Sequence, residues 1–270
     1  MQGDLVLSRL SLVIFGGGNM GAALARGLIV NKFVAPSELA IVEKSQERRA
    51  ILQKDFPEVV ICEQMPKCDS VVIAVKPDDV AGVCSTLSNF GVKQLLSIAA
   101  GVTIASIQSS CGATVAVVRA MPNTPSLVGQ GVSAMAPGGS CSAEQIAWAK
   151  KILASVGKVV EVEENLLDAV TGLSGSGPAY IFLLAEALID AGIQQGLSAE
   201  VANALVRQLL VGSSALLAQS SSSPEELRKN VTSPNGTTAA GIAELQNKNF
   251  AEIIVGAVQA ATERSKQLGK

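Results

Sequence analysis

A short apolar run, Leu12-Val13-Ile14-Phe15, stops at consecutive glycines, and Gly16, Gly18 and Gly21 keep the G-x-G-x-x-G spacing as a helical pattern begins. A strand buried on both faces that turns straight into a helix opens a β-α-β unit, and such units build a parallel sheet covered by helices on both sides. The first glycine permits the tight turn, the second lets the backbone approach a pyrophosphate, and the third lets helix and strand pack closely. Backbone N–H groups from Asn19 to Gly21 and the positive end of the helix face the phosphate charge. A plain glycine-rich turn is the alternative. The strand before the motif and the stripe of Met20, Leu24, Leu28 and Ile29 behind it favour dinucleotide binding.

The pattern recurs. Strands are expected at residues 39–42, 71–75, 95–98 and 115–118, the second of these stopped by Lys76-Pro77 because proline cannot continue a ladder. After about Val162 strand-like runs vanish and helical spacing takes over, with Leu183, Leu184, Ala187, Leu188 and Ala191 on one side. Residues 179–184 are apolar nearly all round, so this helix should be buried within a domain or between subunits. Further helices fit 199–217, 238–245 and 250–268, and the serine run ending at Pro224 marks a loop and helix start. The expected organisation is a doubly wound α/β domain at 1–163 followed by an all-helical domain at 164–270.

Composition removes whole classes of chemistry. Histidine is absent, which excludes Ser-His-Asp hydrolysis, His-ligated metals and imidazole acid-base catalysis. Net charge is −2, so no basic footprint for nucleic acid or anionic membrane exists. Five cysteines, with no C-x-x-C pair, fit reduced thiols in a cytoplasmic chain better than disulfides or a zinc site. No metal site is expected. At 48 % apolar and 16 % charged residues the chain can bury a core and is not a disordered one. The N-terminus offers no secretory signal, its apolar stretch covering only residues 10–15. Residues 94–118 carry no charge, but Ser97, Thr103, Ser106, Gln108, Gly101 and Gly112 make them strand, turn, helix and strand rather than a membrane span.

Several other segments carry chemistry or structure. Glu43, at the end of the second strand, would bond a ribose 2′-hydroxyl, whereas Lys44, Ser45 and Arg48 beside it could hold a 2′-phosphate, so NADH and NADPH both stay open. Arg49 reads as a solvated helix start. Lys76 stands at a strand's carboxyl end, where open α/β sheets place ligands, or is a surface lysine. Met121-Pro122-Asn123-Thr124-Pro125 is a rigid turn of no evident use. The glycine-rich segment 172–179 either packs closely against another chain or cradles a small anion. Thr232-Ser233-Pro234-Asn235-Gly236-Thr237-Thr238 precedes a helix and either caps it or binds a carboxylate through successive N–H groups.

Together these segments resemble the pyrroline-5-carboxylate reductase family. The resemblance runs through residues 15–21, 74–77, 99–103, 119–125, 168–180 and 227–238, and is most specific at 171–180 and 231–238. It implies a Rossmann-type N-terminal domain, a helical domain that interlocks with a second subunit, dimers often assembled into pentamers of dimers, and reduction of 1-pyrroline-5-carboxylate to L-proline by NADPH or NADH. By position, it implies cofactor contacts at Phe15, Gly16, Gly17, Gly18, Asn19, Met20, Ala74, Val75, Lys76, Pro77, Ile98, Ala99, Ala100 and Asn230, while Glu43, Lys44 and Ser45, read above as cofactor contacts, form a stretch that varies across the family and leaves the choice of NADPH or NADH open. It implies substrate contacts at Glu164, Ser233, Gly236, Thr237 and Thr238, with Thr238 bonding the ring nitrogen. One departure is Asn235, where the family usually has glycine. Asparagine tolerates the left-handed backbone better than other non-glycine residues, so the turn should survive.

The missing histidine suits this chemistry. A hydroxyacid dehydrogenase must remove a hydroxyl proton, usually with His or Lys, and no lysine lies between Lys158 and Lys229. A protonated cyclic imine is already electrophilic and needs chiefly to be positioned. The competing readings are a β-hydroxyacid-type dehydrogenase and a nucleotide-binding protein without activity.

Overall fold

The computed structural model describes residues 10–268. The reading of the first nine residues therefore lies outside the described part. The chain alternates strands and helices: β1 (Leu12–Phe15), α1 (Asn19–Val30), β2 (Leu39–Val42), α2 (Gln46–Asp55), β3 (Val60–Cys62), β4 (Ser70–Ile73), α3 (Val80–Leu87), β5 (Gln94–Ser97), α4 (Ile104–Cys111) and β6 (Ala116–Met121). Then come β7 (Gly131–Pro137), α5 (Ala143–Ala154) and β8 (Gly157–Glu161), the short α6 (Leu167–Val170) and a π-helical turn at Thr171–Gly175. Helices α7 (Gly177–Gln194), α8 (Ala199–Gln219), α9 (Pro224–Asn230), α10 (Thr237–Asn247) and α11 (Phe250–Leu268) complete the chain.

The strands form one sheet in the order β3-β2-β1-β4-β5-β6-β7-β8. Every neighbouring pair is parallel except β6 with β7. Alternation along β1 explains the two layers around it. Leu12 and Ile14 pack with Leu24, Leu28, Leu39, Ile41 and Leu52 on one side, while Val13 and Phe15 pack with Val71, Ile73, Val83 and Ile107 on the other. On that second side Cys84 of α3 and Cys111 of α4 share a thiol hydrogen bond. This bond and burial push the Cys84 thiol up, and the same bond holds Cys111 down. Residues 94–118 form β5, α4 and the start of β6, as their polar punctuation indicated.

Compactness divides the described residues into two units. The first runs through Ser176 and takes back the chain from Ala260; the second is Gly177–Gln259. This division falls later than residue 163, because α6 and the π-helical turn are held by the first unit. Leu167 is fully buried there with Ala134 and Ala136, and Ser265 near the end of α11 donates to Asp168 Oδ1 at 2.7 Å.

The second unit has almost no interior of its own. Between Gly177 and Gln259 only Ala202 and Val206 are buried hydrophobics, whereas Phe182 is 62 % and Leu183 65 % exposed. Helix α7 buries no residue at all. The apolar segment 179–184 is therefore not covered within the single chain. Two helical stretches, Glu164–Gln194 and Ala199–Gln219, are long and apolar enough to cross a membrane.

Candidate active site

The sheet register brings the carboxyl ends of three strands level, with Phe15 beside both Val42 and Ile73. Just beyond, Gly16 N donates to Val42 O at 2.8 Å and Ala74 N to Phe15 O at 2.7 Å, which welds the glycine turn to β2 and β4. Gly16 sits at φ +97°, and a Cβ there would stand 2.5 Å from the Ala74 carbonyl oxygen. A Cβ at Gly21 would overlap the Gly16 carbonyl oxygen, so α1 rests directly on the turn. Nothing lies within 4 Å of the Cβ position at Gly18. The turn is thus closed beneath and open above, which fits a pyrophosphate laid against the N-terminus of α1.

A cavity of about 740 Å³ opens from this turn and is lined by Phe15, Gly16, Gly18, Glu43, Lys44, Ala74, Val75 and Lys76. All eight are among the residues named from the sequence. Its wall continues through nine further residues, among them Met65, Thr86 and Phe90. No spacing marks those three, which arrive from a loop, a helix face and the turn after α3. Asn19 opens α1, and Pro77 opens the turn that follows Lys76. Ser45 caps α2 by accepting from Arg48 N at 3.2 Å.

The charged residues of this region hold the turn. Glu43 Oε2 accepts from Gly17 N and its Oε1 from Ser45 N, both at 2.9 Å. Arg48 Nε donates to Gly17 O at 2.6 Å. Arg49 donates to the carbonyls of Glu43 and Lys44 at 2.8 Å and pairs with Glu63 at 3.2 Å, so it is a structural tie rather than a solvated helix start.

A second cavity, of about 270 Å³, is lined by Met20, Ala74, Val75, Ile98, Met121, Pro122, Asn123, Thr124 and Gly175. It adjoins the first through Ala74 and Val75 and gives the 121–125 turn a use that its sequence alone did not disclose. Asn123 fixes this corner: its Nδ2 donates to Ser174 O at 3.1 Å and its Oδ1 accepts from Val132 N at 2.9 Å. Ala99 is buried behind Ile98, with its N–H on Ser97 Oγ at 3.4 Å, and Ala100 follows it.

Glu164 stands in a network of the first unit. Its Oε1 accepts from Ile104 N at 2.8 Å, at the start of α4, and from the buried Arg119 at 3.2 Å. Asp168 lies 4.0 Å from the same guanidinium. Sequence reading named Arg119 only as the start of the 119–125 resemblance and gave it no role, although an arginine inside the run Ala116–Met121 is itself a signal that a buried partner exists.

In the second unit the segment before α10 folds as a tight turn. Gly236 N donates to Ser233 O at 3.0 Å, and Asn235 takes the left-handed backbone at φ 57°. Proline second and a left-handed residue third is the type II pattern. Asparagine thus does here what glycine would do. Gly236 is the N-cap of α10, and no side chain caps that end. Capping therefore does not account for the run of hydroxyls, and the first-turn N–H groups of Thr237 and Thr238 are left for an acceptor from outside the helix. Asn230 closes α9.

Two family models match the chain: "Pyrroline-5-carboxylate reductase dimerisation" over residues 164–268 and "NADP oxidoreductase coenzyme F420-dependent" over residues 11–101. A pyrroline-5-carboxylate reductase of Synechocystis sp. is 41 % identical, covering 97 % of this chain and 99 % of the relative. Among solved structures, a pyrroline-5-carboxylate reductase from Coxiella burnetii superposes with a TM-score of 0.89 at 34 % identity, covering 97 % of this chain and 100 % of that one. The pyrroline carboxylate reductase of Plasmodium falciparum, solved with NADP bound, gives 0.83 at 32 % identity, covering 97 % and 98 %. With a nucleotide cradle at the strand ends and near-complete coverage in these alignments, the chain belongs to the pyrroline-5-carboxylate reductase family.

Proposed function

We propose that this protein reduces 1-pyrroline-5-carboxylate to L-proline with NADPH or NADH, the last step of proline synthesis. The observation that carries the reading is 41 % identity to a pyrroline-5-carboxylate reductase over 97 % of the chain, which takes in both the glycine cradle and the 231–238 turn. When bound, the reduced dinucleotide supplies a hydride.

The chain's own residues bind and orient. The glycine turn and the N-terminus of α1 hold the pyrophosphate, and the apolar wall of Met20, Ala74, Val75 and Ile98 keeps water from the reacting carbon. The substrate carboxylate is assigned to the uncapped N–H groups after Ser233 and Gly236, and the Thr237 and Thr238 hydroxyls add donors. The Thr238 hydroxyl bonds the ring nitrogen and sets the face of the imine. Asn230 is assigned to the dinucleotide and Glu164 to the substrate side. A protonated imine becomes a neutral amine as its carbon is reduced, so no base is needed. That agrees with the lack of histidine and of any lysine in α7.

The work divides at Glu164, where the dimerisation match begins. A second copy of the chain covers the exposed faces of α7 and α8, and dimers gather into decamers in the cytoplasm. Burying ten of the exposed large side chains, which start about half exposed, contributes roughly 7–15 kcal/mol, comparable to an association cost of roughly 4–15 kcal/mol.

The test is oxidation of NADPH and of NADH with pyrroline-5-carboxylate, compared with reduction of NADP or NAD by a 3-hydroxy acid. Turnover with the imine alone is the expected result. Turnover with the hydroxy acid alone would transfer the chain to the dehydrogenase reading, and cofactor binding without either would make it a nucleotide-binding protein.

A further inference from the structure

We infer that Glu43 makes this site select the unphosphorylated dinucleotide. The inference rests on the reading of the 740 Å³ cleft as the cofactor site. In a doubly wound sheet the adenosine ribose lies beside the end of the second strand, and Glu43 is the residue that follows β2 there. Glu43 lines the cleft, and its carboxylate is fixed from two sides, by Gly17 N and Ser45 N at 2.9 Å each. One of those donors belongs to the glycine turn itself. The carboxylate therefore cannot swing away without loosening the cradle, and it stands where ribose hydroxyls need an acceptor. A 2′-phosphate would bring two like charges to the same spot.

The neighbouring cations do not offset this. Lys44 pairs with Asp79 at 3.3 Å. Arg48 is held on the Gly17 carbonyl at 2.6 Å. Arg49 is tied to two carbonyls and to Glu63. The three cations that follow Glu43 are therefore each directed at an acceptor of the protein itself.

The experiment is titration calorimetry of the full chain with NAD, NADP and 2′,5′-ADP, on the wild type and on Glu43→Gln, which keeps the shape and removes the charge. The expected result is NAD binding at least about tenfold tighter than NADP, and a Glu43→Gln variant in which the ratio of NADP to NAD affinity rises about tenfold, whatever the lost acceptor costs both dinucleotides alike. The ratio of kcat/KM for NADH and NADPH should follow the same order. Wild-type binding of NADP as tight as NAD, or a ratio unmoved by Glu43→Gln, overturns the inference and leaves the reductase reading standing. Binding of neither dinucleotide overturns both.

Discussion

Thr238 is the second residue of α10, exposed, on a helix end that no side chain caps. A hydroxyl so placed contributes to orientation and not to the fold. Thr238→Ala should lower kcat about a hundredfold while the dissociation constant for the dinucleotide, read by fluorescence titration, stays within experimental scatter. Equal turnover would remove the hydroxyl from the reaction. Glu164 is the opposite case, because one of its oxygens serves both Ile104 N and the buried Arg119. Glu164→Ala leaves a guanidinium and a helix N–H without their acceptor, and should cost about 1–3 kcal/mol of stability, seen as a lower denaturant midpoint. A raised KM for the imine with an unmoved midpoint would assign Glu164 to the substrate alone. The two residues also mark what single positions disclose in a sequence. Gly16 and Gly21 declare themselves because backbone geometry dictates their type. The tie between Arg119 and Glu164 spans a long stretch of chain and has no local pattern.

At the level of elements, the turn between α9 and α10 depends on one backbone angle. Asn235 stands at φ 57°, where a Cβ costs most residues about 1–2 kcal/mol. Asn235→Gly should leave the thermal midpoint and KM nearly unchanged. Asn235→Ala should raise KM for the imine several-fold, since the strain falls on the N–H groups of the next two residues; steady-state kinetics on both variants checks it. The strands show how far local pattern reaches. Residues 12–15 and 39–42 are strands to the residue, because continuous apolar runs next to turn residues are unambiguous. The strand expected at 71–75 ends at Ile73, and Ala74 and Val75 go on to line both cavities. Three strands went unread. β3 has three half-buried residues, β7 is Gly-Val-Ser-Ala-Met-Ala-Pro with few branched side chains, and β8 mixes Lys158 and Glu161 with two valines. Their pairing comes from the sheet around them and not from their own propensity.

For the molecule as a whole, the exposed face of α8 offers a direct test of assembly. Leu205, Leu209 and Leu216 are 57 %, 54 % and 55 % exposed and fall on one side of the helix. Placing glutamate at Leu205 and Leu209 together should convert the oligomer to monomer in sedimentation velocity at micromolar concentration. For the unaltered chain, the thermal midpoint should rise with protein concentration. A midpoint independent of concentration, with monomer throughout, would retire the assembly reading. The change from a sheet half to a helical half was legible because the period of the apolar pattern changes near Val162, while compactness puts the π-helical turn with the sheet unit despite its helical sequence.

A unit whose interior is two side chains, Ala202 and Val206, has a consequence for the newborn chain. Until it meets a sister it displays much of what proteases and chaperones look for, so survival after synthesis is second order in copy number. A crippled sister with sound helices would then pass inspection and take a healthy one out of circulation.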